Sequence, residues 1–213
     1  AKIGADNPDN LYEYSRLDGS LDYRITGQRG SVAYLSFGTQ KGGYETDGTL
    51  IQTGFIDASQ LQLDDQGNFE IILSREPQAG NWLKMEGATN ALIVRQTFLD
   101  RRSEVPAKLS IERIGTDAKP QALDPATFQQ GLARVSSFVE NTARLFADWS
   151  QSYLPHSNQL PPANQALCQS VGGDPNIFYY HSHWALAEDE ALVIHIDKVP
   201  DCDFWNLQIN NYW

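Results

Sequence analysis

Apolar and polar residues alternate in short runs through the first half of the chain. Runs at residues 11–17, 21–27, 32–37, 50–57, 69–73, 91–98 and 108–114 are rich in β-branched and aromatic side chains. Gly, Asp and Asn clusters separate them, so each run reads as a strand. Asp18-Gly19, Arg29-Gly30 and Gln66-Gly67 supply turn chemistry, because glycine takes the positive φ that tight turns demand. Strands at this spacing predict a β-sandwich or jelly roll.

The period changes at Leu123-Asp124-Pro125. An Asp N-cap followed by proline at the first helical position is a strong helix start. Phe128, Leu132, Val135, Val139, Leu145, Phe146 and Trp149 then recur at helical offsets, which predicts a long amphipathic helix ending near Tyr153-Leu154-Pro155. A shorter helix is expected over 162–170, broken by Gly172-Gly173-Asp174-Pro175. Strands are expected to resume at 178–186 and 191–197, joined by a tight turn at Ala187-Glu188-Asp189-Glu190, and again at 204–212. The expectation is one mainly β domain over 1–213: a jelly-roll-like antiparallel β-sandwich with a long inserted helix and a short second one, at about 124–171.

The final segment also concentrates the candidate chemistry, with three of the four histidines and three of the five tryptophans. On a strand at 178–186, Tyr179, His181, His183 and Ala185 share one face. Paired imidazoles on a strand can hold a transition metal if a third ligand joins them. In an even-length hairpin His195 falls on the opposite face, so the third ligand would have to be an Asp, a Glu or a histidine from elsewhere, such as His156. No cofactor is predicted, and a metal at His181 and His183 is the less favoured alternative. Asp189 and Glu190 are the candidate acid and base partners of the histidines, against a plain reading as solvated turn residues. Trp205 and Asn206 open an amide-bearing stretch suited to a neutral polar ligand. Arg24 and Arg95 are lone strand cations that could meet an anionic ligand; pairing with a carboxylate is the favoured reading. Asp6-Asn7-Pro8-Asp9-Asn10 is rich in oxygen ligands and reads better as a turn than as a calcium loop.

Charge removes some partners. Sixteen Lys and Arg against 27 Asp and Glu give a net charge of −11, which opposes binding to nucleic-acid phosphates. No apolar run nears the roughly 20 residues that span a bilayer. Cys168 and Cys202 have neither redox nor zinc spacing, and could be one disulfide or two thiols. No G-x-S-x-G elbow or glycine-rich phosphate loop is present. The compartment, cytoplasmic or periplasmic, stays open.

Taken together, DNPDNLY (6–12), YRITG (23–27), NWL (81–83), VRQTF (94–98), PAKLSIERIG (106–115), FYYHSHWALAEDEALVI and PDCDFWNLQINNYW resemble the bacterial domain-of-unknown-function family DUF1214. The resemblance implies a jelly-roll-like sandwich with a helical segment, often set in larger proteins beside a DUF1254 domain and running on past Trp213. It implies no catalysis and assigns no catalytic residue. Three functions follow as expectations. The leading one is binding of a small polar or saccharide-like ligand by His181, His183, Trp205, Asn206, Arg95 and Tyr179. The second is a hydrolase or lyase using His with Asp or Glu, and the third is an interaction domain, with an N-terminal companion domain or a second copy as its partner.

Overall fold

A strand with one apolar face needs a second sheet to cover it, and this chain supplies two. The computed structural model describes residues 4–115, 122 and 124–211. Its elements are β1 (Asn10–Arg16), β2 (Tyr23–Gln28), β3 (Tyr34–Gly43), β4 (Thr49–Asp57), β5 (Asn68–Ser74), β6 (Trp82–Lys84), β7 (Ala91–Thr97) and β8 (Lys108–Arg113), then the helices α1 (Pro125–Gln151) and α2 (Gln165–Ser170). The strands form two four-stranded sheets, in the orders β1-β7-β3-β4 and β6-β5-β2-β8. All pairs are antiparallel except β5 with β6. The fold is the expected mainly β sandwich with a long and a short helix.

Inward positions of both sheets make the core. Leu35 and Phe37 of β3, Ile71 and Leu73 of β5, and Leu83 of β6 are all at 0% exposure. Burying each such side chain contributes about 1.5–3 kcal/mol. Phe37 meets Phe69 edge to face at 5.8 Å across the sheets. The strand β6 is absent from the alternation pattern because three residues are too few to show a period. Asn81 fixes it: its side chain donates to the carbonyls of Gln62 and Glu70 at 3.0 and 2.9 Å and accepts from the Gln62 amide at 2.7 Å.

The two long sides of the sandwich differ. Along β4 and β6 the sheets are stitched together: Thr39 donates to the Lys84 carbonyl at 2.6 Å, and Thr53 bonds both Thr39 and Thr89 at 2.9 Å. Gly54 is required there, since a Cβ would run into the Lys84 carbonyl. Along β1 and β8 the sheets part, leaving a cleft of about 150 Å³ lined by Glu13, Ile25, Leu92, Val94, Leu109 and Ile111 among others.

Helix α1 begins as its sequence dictates. Asp124 accepts from the amides of Ala126 and Thr127, both at 3.0 Å, with Pro125 in the first turn. At 27 residues it is about 40 Å long. Only its second half is held: Phe146 meets Tyr44, in the turn between β3 and β4, at 5.8 Å, and Phe138 stacks on the same ring at 6.2 Å. Phe128, Leu132, Val135 and Val139, from the first turn to just past the middle, are exposed. Among the described residues no helix is long and apolar enough to cross a membrane.

The C-terminal stretch departs from expectation. Residues 178–186, 191–197 and 204–211 form no sheet strand, although the turn between the first two is present, with Glu190 donating to Ala187 at 3.2 Å. The physical reason is a missing partner edge. Segment 178–186 is bonded on one side only, to residues 158–165, and between 191 and 197 no backbone hydrogen bond forms among the described residues.

Candidate functional site

Arg95 sits near the middle of β7, opposite Ser36 of β3 and Tyr12 of β1. Its side chain points away from the core, yet only 6% of the residue is exposed. Residues 171–179 lie over it as a strap. Val171 leads off beside Leu50 of β4, and its carbonyl accepts from Tyr44 Oη at 2.8 Å. Arg95 Nη2 then donates to the Gly172 carbonyl, and its Nη1 lies 3.8 Å from Asp174 Oδ2.

Asp174 is 1% exposed and heavily partnered. Tyr34 Oη and the Asn176 amide donate to Oδ1, each at 3.0 Å, and Ser36 Oγ donates to Oδ2 at 2.9 Å. The Tyr179 hydroxyl accepts from the Asp174 amide at 3.2 Å. Burial, and then the neighbouring Asp174 carboxylate, push the Tyr34 phenol well above its ordinary value. Burial is the main cause that raises Tyr44 and Tyr179 to about 12. The cluster is therefore a closed ionic anchor, with the guanidinium already satisfied by carboxylate and carbonyl. Arg95 has the carboxylate partner favoured for it, and Arg24 likewise pairs with Glu70 and Glu112 at 2.9 and 3.1 Å.

The strap leads into segment 178–186, where exposure follows the expected faces at Phe178–His181, His183 and Trp184, but Ser182 and Leu186 are half-buried and Ala185 is exposed. Tyr179, His181 and His183 are half-buried, while Phe178, Tyr180 and Trp184 are exposed. His181 Nδ1 lies 3.0 Å from the Tyr153 hydroxyl, the donor depending on the tautomer. Rings of Tyr153, Trp149 and Tyr179 stand 5.5, 5.7 and 5.8 Å from it. Burial holds its imidazole below the ordinary 6.5. His183 has a separate partner, with Nδ1 at 2.9 Å from Ser157 Oγ. Asn158 clamps the segment: its amide donates to the His183 carbonyl at 2.8 Å, and its side chain exchanges two bonds of 2.9 Å with Ala185.

The remaining candidates do not join this site. Asp189 and Glu190 are exposed at the turn, where Glu190 Oε2 accepts from the Ala187 amide at 2.9 Å. No carboxylate is hydrogen-bonded to His181 or His183 among the described residues, so the proposed acid–base set is not assembled. His195 pairs with Asp197 at 2.9 Å in solvent, and His156 is exposed in a 3-10 turn. Trp205 and Asn206 are exposed. Among the described residues no group of three or more His, Cys, Asp or Glu could hold a metal. Both cysteines are free thiols, with burial raising that of Cys168. At Asn7 the expected turn is present, its side chain accepting from Asp9 at 2.9 Å.

Asp174, Tyr34 and Ser36 are anchor positions that sequence reasoning misses. Asp174 reads there only as part of a helix breaker. The available signal is Arg95 itself, because a guanidinium inside the buried run VRQTF requires an acid from another part of the chain.

No protein-family model and no curated protein matches this chain. Among solved structures it is similar to an uncharacterised protein from Burkholderia cenocepacia, with 68% identity and a TM-score of 0.86. The match covers 89% of this chain and 52% of that one, so the chain spans about half the length of that relative. A protein from Vibrio parahaemolyticus matches 50% of this chain and 31% of its own at 16% identity and a TM-score of 0.38, too low to carry an argument.

Proposed function

We propose that this chain is a docking domain whose C-terminal half receives a polypeptide partner. The observation that carries this reading is where its apolar surface lies. The facing sides of the two sheets are covered; on the sandwich Tyr14, Leu99 and Val105 stay open at 54–65%, and in the C-terminal half Val135, Val139, Phe178, Val193, Trp205 and Ile209 are 52–85% exposed. Large side chains left open together mark interaction surfaces. The resemblance to DUF1214, whose members occur within larger proteins, points the same way. So does the Burkholderia relative, of which nearly half lies outside the match.

The test is to add the unmatched part of the Burkholderia polypeptide to this chain and follow sedimentation and binding of an apolar-surface dye. A complex that suppresses dye binding is expected. A chain that stays monomeric, binds no dye and ignores the added polypeptide would refute the proposal.

A second reading is supported by His181. A neutral, half-buried imidazole walled by Tyr153, Trp149 and Tyr179 suits a small polar or saccharide-like ligand, the aromatic faces taking its apolar side and the imidazole its hydroxyl groups. Glycan screening tests it: hits abolished by His181→Ala are expected, and no hit above background counts against it.

A further inference from the structure

We infer that the open edge of residues 178–186 takes an added β-strand from a partner polypeptide with alternating apolar side chains and basic flanks. This rests on the docking reading and states how docking occurs. At Tyr180 the segment runs antiparallel to Pro162, and in an extended chain the backbone groups alternate in direction. Tyr179, His183 and Ala185 bond to residues 158–165: the Tyr179 carbonyl accepts from Ala163 at 2.9 Å, and the Tyr179 amide donates to Gln165 Oε1 at 2.9 Å. Pro162 lies opposite Tyr180 in antiparallel register, which turns the N–H and C=O of Tyr180 to the other side. The backbone groups of Phe178, Tyr180, Ser182 and Trp184 have no hydrogen-bond partner among the described residues, and neither do those of His181 between them.

A row of free, evenly spaced donors and acceptors is the template on which strand addition works. Its side chains fit the same mode. Phe178, Tyr180 and Trp184 are 60, 51 and 47% exposed on one face, ready to pack against apolar residues at alternate positions of an incoming strand. The segment is also held in place beforehand, by Asn158, Gln165 and Ser182 on its bonded side, so little ordering entropy remains to be lost.

Charge selects the partner. Glu188, Asp189, Glu190, Asp197, Asp201 and Asp203 follow the edge with only Lys198 against them, in a chain of net charge −11. Two copies of the chain repel one another at such a surface, while lysine or arginine beside an apolar strand is attracted. The occupant is therefore not a second copy of this chain.

The probe is a peptide of alternating valine and threonine with paired lysines at both ends, added to the whole chain while amide exchange is followed by NMR. At saturation the amides of Tyr180, Ser182 and Trp184 should exchange about tenfold more slowly. The effect should weaken with glutamate flanks and vanish when alternate peptide amides are N-methylated. Unchanged exchange at these amides, with the Burkholderia polypeptide still binding, overturns strand addition and leaves docking standing. Failure of both overturns both. Protection that rises with protein concentration in the absence of peptide identifies a second copy as the occupant and overturns the basic partner.

Discussion

Replacing Asp174 by alanine should be the most costly single change outside the inter-sheet core. It removes the acceptor of Tyr34, Ser36 and the Asn176 amide and leaves the Arg95 guanidinium, 8% exposed, facing a void. Stripping one partner from a buried ion pair costs about 3–5 kcal/mol. The lower end applies here, because the pair is long at 3.8 Å and Arg95 keeps the Gly172 carbonyl. Asp174 belongs to the strap and not to the core, so the loss should first release residues 171–179. Native-state amide exchange there should accelerate about a hundredfold, while Ile71 and Leu73 keep their protection. Asp174→Asn should fall between, since an amide retains one acceptor. Adding Arg95→Met to Asp174→Ala should recover part of the loss by removing the orphaned charge. Exchange within about threefold of the parent protein in Asp174→Ala would show that water replaces the carboxylate freely and that the anchor is not what holds the strap.

His181 titrates below its ordinary 6.5 because it is buried, so the unfolded chain takes the proton first. Stability contributed by neutral His181 should be complete above that value and decline as pH falls below it, and His181→Gln should flatten urea-midpoint profiles in that range. Tyr44 and Tyr179 ionise near 12, above the ordinary 10.0, so their stabilisation should fade as pH rises past 10.0. Ultraviolet titration should show late tyrosinate formation that Tyr44→Phe and Tyr179→Phe each reduce. Gly54→Ala should lower thermal stability by forcing β4 away from β6, whereas Gly67→Ala, which meets no neighbour but sits at positive φ, should cost only backbone strain of about 1 kcal/mol.

The sandwich was legible because it rests on local pattern. Seven runs of alternating residues became strands, and Asp124-Pro125 started the helix where its chemistry required. Period two also placed His181 and His183 on the sheltered face and Tyr180 and Trp184 on the exposed one. What a strand pairs with is not local, and 178–186 shows the consequence: its side chains alternate as expected from Phe178 to His181, while much of its backbone has no neighbour among the described residues. The anchor was hidden for a related reason. Arg95 and Asp174 lie far apart in the chain, and only the path of the strap brings them together. The expected partnership of Asp189 and Glu190 with the histidines rested on proximity in sequence, whereas the two acids stand exposed at the turn and the histidines meet Tyr153 and Ser157 instead.

The threonine stitching along β4 and β6 has a mechanical meaning. Thr39, Thr53, Thr89 and the Lys84 carbonyl clamp one long side of the sandwich, and Gly54 lets the backbones meet there, while toward β1 and β8 the tie among the described residues is a single side chain, Gln96 of β7, which donates to Glu13 at 2.8 Å and accepts from the Ala107 amide at 2.7 Å. Two stiff plates held by a row of bonds on one side and by one glutamine on the other open most on the weaker side. Low-frequency breathing of this protein should therefore be angular, swinging β1 and β8 apart about the β4–β6 axis. The space between Leu92, Val94, Leu109 and Ile111 becomes the compliant part of the molecule, the first to shrink under hydrostatic pressure and the first to admit a xenon atom.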